Sequence, residues 1–418
     1  MIRLIFLLFF SFVLTLNAQN FWEKTSFPSG TQLNSVYCIL GLNDNSVLVG
    51  TYAMGIYRTT DDGLSWSSLA LNNQWIRDLG KDNQNNIYAL TIGSSSGLFK
   101  STDNGNSWNQ VWYYSGGLND LFIDANNNIY IGLNFFDGKG GVYKSSDGGQ
   151  TWTNIFPLHA NVYAIIKALD GALLLAGYDA GLAKIYRSTN EGASWDTYSF
   201  PINFTATDFA INDQGTIFLS TAGYGIYRST DNGLTWNATG QMSGPDISCL
   251  FINGNNIYAG TRGYWVYRST DSGNNFSLIN SGMGQDKYVL SLGASKSGYL
   301  FAGMDYYGIY RSVNKVISSV DENFLIDKFE LKQNYPNPFN PKTNVEFVLP
   351  VKSKVELKIY NIMGEELEKI IDDEIEKGIY KIDIDMKNYS SGVYLINLKA
   401  KGFDGKNYST TRKMMLMK

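Results

Sequence analysis

"GIYRSTDNGLTWNATG", residues 225–240, is the stretch on which the reading of this chain turns. Close copies stand at 55–66 ("GIYRTTDDGLSW"), 97–108 ("GLFKSTDNGNSW"), 141–152 ("GVYKSSDGGQTW"), 184–195 ("KIYRSTNEGASW") and 265–276 ("WVYRSTDSGNNF"). A seventh, "GIYRSVNK" (308–315), breaks off before its Gly and Trp. The positions equivalent to the Asp are Asp61, Asp103, Asp147, Asn190, Asp231, Asp271 and Asn314, spaced 40 to 44 residues apart. A sustained period of that size marks a repeat architecture.

Each repeat carries apolar strands upstream of the turn, such as "ISCLFI" (247–252) and "IYAGT" (257–261). Another short strand follows the Trp, as in "SWNQVW". Four strands per repeat is the content of one propeller blade. The turn residues have local work to do. The Asp accepts hydrogen bonds from turn N–H groups. The Gly takes a positive φ that a Cβ would resist. The Trp offers a large apolar face to pack beneath the hairpin.

The pattern S/T-x-D-x-G-x-S/T-W resembles the Asp-box (BNR) repeat of sialidases and related β-propellers. That resemblance implies a structural hairpin between the third and fourth strands of a blade, away from the usual ligand face. The quoted stretch is then fold rather than site. The seventh copy lacks a fourth strand, and "QNFWEKTSF" (19–27) reads as the missing one, with Trp22 in place of the Trp. Closure by the chain's first strand leaves no free sheet edge. The expected fold is all-β: a seven-bladed β-propeller followed by an immunoglobulin-like β-sandwich.

Bulk properties agree with short strands and tight turns, since 42 of 418 residues are Gly and aromatics reach 14%. A net charge of −4 gives a nucleic-acid partner no footprint. Residues 1–18, with Arg3 before the apolar run Leu4 to Leu16 and Ala18 near the cleavage point, read as a signal peptide. No later stretch reads as a membrane span. Cys38 and Cys249 occupy one position in two non-adjacent repeats and read as small buried hydrophobes.

The composition changes after Lys315. All nine Trp precede it, and four of eight Pro fall between 336 and 350. Residues 19–315 are read as the propeller, 316–328 as a linker and 329–418 as a second domain. "NYPNPFNPKT" (334–343), "YNIMG" (360–364), "SGVY" (391–394) and the basic C-terminus resemble the type A C-terminal sorting domain of the type IX secretion system. The resemblance implies an immunoglobulin-like sandwich, delivery by that machinery through residues 329–418, and a secreted or surface-held product exported via the periplasm. "GEELEKIIDDEIEKG" (364–378) has the charge spacing of an exposed helix, whereas the family pattern places strands and a turn there. The family pattern is followed.

In Asp-box propellers the ligand face carries the loops between the second and third strands. Here those loops hold Tyr52, Phe135, Phe136, Tyr178, Tyr224, Tyr264, Trp265, Tyr306 and Tyr307, with Asp137, Asp179, Arg262 and Asp305 beside them. Aromatic faces with a few polar groups suit sugar rings or an extended peptide. The plainer reading is that these rings pack between blades. The first strand of each repeat supplies an inner ring: Cys38, Asp78, Asp120, Ala164, Asp208, Cys249 and Ser291. Its three carboxylates fit proton transfer if raised in pKa and suitably spaced; otherwise each braces a neighbouring blade's backbone.

Sialidase activity does not follow from the resemblance. That family uses three Arg, a Tyr nucleophile and an acid Asp. Outside the repeat turns, the signal and the sorting domain only Arg77 and Arg262 remain. Asp-box xyloglucanases join two propellers, and one is read here. His159 is the only histidine, and no cofactor or metal is expected. The sequence reading is an exported propeller that binds a glycan or protein. The alternative is an extracellular glycoside hydrolase or lyase, and a scaffold like the photosystem II assembly propellers rests on fold analogy alone.

Overall fold

A computed structural model describes residues 20–316 and 329–417, apart from positions 94, 137–138, 157–159, 180, 201–202, 240–241, 243, 335, 376–377 and 404. The expected signal segment, most of the expected linker, Asp137 and His159 lie outside the described residues. The chain divides into two compact units, residues 1–319 and 320–418.

Among the described residues, the first unit forms seven four-stranded sheets. We number them by their first strands: Val36–Gly41, Trp75–Lys81, Leu118–Ile123, Asn161–Lys167, Ala206–Ile211, Ile247–Asn253 and Val289–Ala294. Within each sheet the strands are antiparallel neighbours. The first strands touch one another in a closed circle, the seventh against the first. The second strands are almost wholly buried, as in Val47–Thr51 and Leu300–Met304. They read as continuous apolar runs because both faces are covered.

The circle closes through the N-terminus. Trp22–Lys24 pairs antiparallel with Ile309–Ser312, Trp22 opposite Ser312, and becomes the fourth strand of the seventh sheet. Trp22 is 1% exposed, and its Nε1 donates to Ile279 O at 2.6 Å.

The repeated turn joins the third and fourth strands. At Ser229–Trp236 a buried Ser229 Oγ accepts from Gly233 N (2.8 Å) and donates to Asp231 Oδ1 (2.7 Å). Asp231 Oδ1 also accepts from Thr235 N (2.9 Å), and Oδ2 from Thr235 Oγ1 (2.6 Å). Gly233 sits at φ +86°, and a Cβ there would meet Leu174 of the preceding sheet at 2.5 Å. Trp236 Nε1 donates to Gly233 O. Asp103 and Asp271 have the same surroundings. Donors from Ser107 and Asn275 respectively hold their carboxyls down at about 2. A hydroxyl two residues before the Asp is thus as central to the turn as the Asp itself.

The second unit forms two sheets over one core. One joins Glu330–Leu331, Lys342–Leu349 and Gly378–Asp385; the other runs Glu366–Ile375, Ser353–Tyr360, Gly392–Gly402, Asn407–Leu416. Val345, Phe347, Val355, Leu357, Ile396 and Leu398 are among the buried residues between them. Residues 366–375 are a strand despite their helical charge spacing. Ladder pairing with 353–360 and burial of Leu367, Ile370 and Ile371 against the core override the weak local preference.

Candidate functional site

Strand direction places the loops. Each first strand begins at the end of its sheet that carries the loop between the second and third strands. Tyr52 N donates to Ser35 O, Ala222 N to Thr205 O, Arg262 N to Asp246 O and Asp305 N to Tyr288 O, at 2.9–3.0 Å. The Asp turns lie at the opposite end of their strands.

A β-bulge follows the first or second paired residue in every first strand. A bulge adds an unpaired residue and re-aims its side chain. The bulged residues are Tyr37, Arg77, Asn119, Tyr163, Thr207, Ser248 and Leu290. Next to each stands the inner-ring residue. Together, Ala164 apart, they line a central cavity of about 380 Å³, with Asn134 added from the second strand of the third sheet and Ala222 and Arg262 from the loops. Close approach of the second strands makes room for this arrangement. A Cβ on Gly303 would lie 2.3 Å from Ser291 Oγ.

Most of these polar groups brace the next sheet. Asp78 Oδ2 accepts from Leu121 N (3.2 Å), Asp120 Oδ2 from Ile165 N (2.8 Å) and Asp208 Oδ2 from Leu250 N (2.8 Å). Asn119 Nδ2 donates to Val162 O, Thr207 Oγ1 to Ile247 O, Ser248 Oγ to Val289 O and Ser291 Oγ to Val36 O. Cys38 and Cys249 are buried free thiols on the same ring.

The three carboxylates face the cavity yet are surrounded by protein. Desolvation raises Asp78 to about 6 and Asp208 to about 7. Asp120 rises well above the carboxylate range, first from burial and then from the charges of Asp78 and Asp208. Arg77 pulls all three the other way. Among the described residues no group of His, Cys, Asp and Glu is gathered tightly enough to hold a metal ion.

The rim candidates divide into exposed rings and tethered side chains. Phe135, Tyr224, Tyr264 (54% exposed), Tyr306 and Tyr307 present their rings to solvent. Tyr52 is half-buried against Trp75 (5.1 Å between ring centroids) and Tyr37 (6.2 Å). Tyr178 is half-buried. Trp265 is a half-buried ring that donates from Nε1 to Gly284 O and lies under Lys287. Asp179 is paired with Lys184, and Asp305 accepts from Ser35 Oγ at 2.6 Å. The Phe136 side chain is outside the description. Among the rim candidates whose side chains are described, only Arg262 lines the central cavity.

Sequence reasoning missed the bulged ring and the exposed Tyr288, which bridges to Arg262. The signal was present as a triplet with a polar middle residue near the start of six of the seven first strands, as in Val36-Tyr37-Cys38, Ile76-Arg77-Asp78, Ala206-Thr207-Asp208 and Ile247-Ser248-Cys249.

Residues 333–416 match the family described as the secretion system C-terminal sorting domain. No curated protein sequence matches the chain. Several solved structures share the fold. YCF48 bound to D1 peptide is 12% identical, with a TM-score of 0.56 over 71% of this chain and 96% of that one. The extracellular domain of the putative hybrid two-component system BT3049 from B. thetaiotaomicron is 13% identical, with a TM-score of 0.57 over 96% of this chain and 58% of that one. The Niastella koreensis GH74 enzyme is 15% identical, with a TM-score of 0.56 over 94% of this chain and 67% of that one. At such identities the likeness establishes a propeller-type all-β fold and nothing about activity. No described helix is long and apolar enough to cross a membrane. The match at 333–416 implies interaction with type IX secretion machinery and export to the cell surface or beyond.

Proposed function

We propose that this chain is a seven-bladed Asp-box propeller that binds a glycan or an extracellular protein at its loop end. Residues 329–418, an immunoglobulin-like sandwich, deliver it to the surface or the medium. The observation that carries this reading is convergence. Exposed aromatic rings and a polar central cavity sit at the same end of the strands, while the repeated Asp turns at the other end satisfy their own donors. Exposed aromatics of this kind are the anchors that dominate binding energy.

The GH74 likeness and the raised pKa values of the inner ring favour a second reading, a glycoside hydrolase or lyase. Against it, each carboxylate already spends an oxygen on a neighbouring backbone N–H. Screening the full chain on a glycan array and against extracellular proteins, with an assay for reducing ends released from each glycan bound, separates the two. Binding without release is expected. Turnover that is lost in Asp120→Asn would establish the hydrolase instead.

A further inference from the structure

The central cavity has an unusual balance of unused donors and acceptors. Arg77 and Arg262 both line it, and neither guanidinium makes an ion pair or hydrogen bond among the described residues. The phenols of Tyr37 and Tyr163 line it too, with no hydrogen-bond partner among the described residues. Burial and the nearby Asp305 charge keep the Tyr37 phenol protonated, and so a donor. The side-chain hydrogens of Thr207, Ser248 and Ser291 are committed to backbone carbonyls, and those of Asn119 to Val162 O and Asn134 Oδ1. On the acceptor side, Asp120 Oδ1 has no protein donor among the described residues, and Asp208 Oδ1 has only the adjacent Phe209 N–H beside it. The cavity therefore offers two guanidiniums and two phenols, donors that outweigh its few uncommitted acceptor oxygens.

We infer that this cavity binds the free C-terminal carboxylate of an extended peptide, taking up protons from solvent as it does so. The inference rests on the proposed ligand-binding loop end and names the ligand class for it. Guanidiniums pair with carboxylates through charge-assisted, often bidentate hydrogen bonds. A peptide terminus brings a carboxylate, which accepts from the two guanidiniums and the two phenols, and protonated Asp120 adds an O–H donor beside them. An acidic sugar brings several hydroxyl donors and finds too few acceptors. A volume of about 380 Å³ admits a terminal residue or two, and the exposed rim rings lie where the chain would emerge.

Proton uptake follows from the groups that face the site. The first strands contribute Tyr37, Cys38, Arg77, Asp78, Asp120, Tyr163, Asp208 and Cys249. The loops contribute Arg262, and Asp305 acts on Tyr37 from nearby. Burial holds Cys249 at about 12 and Cys38 well above its ordinary value, so both thiols stay neutral. With the three Asp protonated, the inner ring no longer opposes the Arg charges, which attract an anion. As pH rises through about 6 and 7, Asp78 and Asp208 ionise and repel it. An anion in the cavity raises those pKa values further, so binding and protonation favour each other.

The test uses the full chain, immobilised and offered a random peptide library with free C-termini and the same library amidated, at pH 6 and pH 8. Capture is expected from the free-acid pool, about tenfold weaker at pH 8, with none from the amidated pool. Arg77→Gln and Arg262→Gln each weaken capture by about tenfold or more. Asp120→Asn keeps an acceptor for Ile165 N and reduces the loss at pH 8. Equal capture of both pools, no capture of either, pH-independent capture, or binding of glucuronate in place of peptide acids would overturn the inference. The rim variant Tyr264→Ala separates the two levels. If it weakens binding while the Arg variants do not, the loop-end reading stands and the carboxylate site is wrong. If neither changes binding, both are wrong.

Discussion

Asp120 reaches across to the next sheet, where its Oδ2 accepts the backbone N–H of Ile165 at 2.8 Å. Asp78 and Asp208 make the same reach to Leu121 and Leu250. Removing one of these carboxylates leaves a buried N–H without a partner. Asp120→Ala is expected to cost about 1–3 kcal/mol, read as a lower midpoint in chemical denaturation. Asp120→Asn retains an acceptor and should lose less. Equal losses in the two variants would contradict the bracing role.

The same carboxylates set a pH dependence. Their folded pKa values lie above the unfolded ones, so the native state binds more protons than the unfolded chain. The sign is therefore a stability that falls as pH rises through about 6 to 7. The turn residues Asp103 and Asp271, held near 2, act only in strong acid. Melting temperatures at pH 6 should exceed those at pH 8, and Asp208→Asn should narrow the gap. A profile flat between these values, or rising toward pH 8, would count against the raised pKa values.

Ring closure predicts a large effect from one side chain. Trp22 is buried, hydrogen-bonded to Ile279 O and part of the strand that completes the seventh sheet. Trp22→Ala should cost about 3–5 kcal/mol. Deleting residues 20–27 should also expose the edge strand Ile309–Ser312. A truncated chain that melts within a few degrees of the intact one would show that closure contributes little.

The repeated turn predicts parity between two residues. Ser229→Ala strands the buried Gly233 N–H, and Asp231→Ala leaves the exposed Thr235 N and Oγ1 without their shared acceptor. Each should cost about 1–3 kcal/mol, with ligand binding per folded molecule unchanged. Urea denaturation of both variants checks this. A loss confined to Asp231→Ala would mean the hydroxyl is dispensable.

Much of the architecture was legible in the sequence, because period, turn chemistry and the broken last copy all pointed to one arrangement. Trp22 was recognisable as the missing fourth-strand residue because its apolar partners had a place waiting. Residues 366–375 were not legible from local charge, since pairing with 353–360 decides their conformation. The site was less legible for a geometric reason. A bulge turns Arg77, Tyr37 and Tyr163 toward the axis, and strict alternation along a strand gives no warning of it. Asp179 and Asp305 looked free in sequence. Lys184 and Ser35, which tether them, come from a neighbouring strand and from another sheet.

A loop end that binds and a turn end that builds is the proposed division of labour in this propeller. It is tested most directly by measuring affinity and melting temperature together for Tyr224→Ala, Tyr264→Ala and Tyr306→Ala, with Asp231→Ala beside them. The ligand is whichever glycan or protein the full chain captures. The rim variants should melt within a few degrees of the parent and lose about 1–3 kcal/mol of binding free energy each, while Asp231→Ala loses stability alone. Rim variants that melt early yet bind with full affinity per folded molecule would contradict the claim and move the binding face elsewhere.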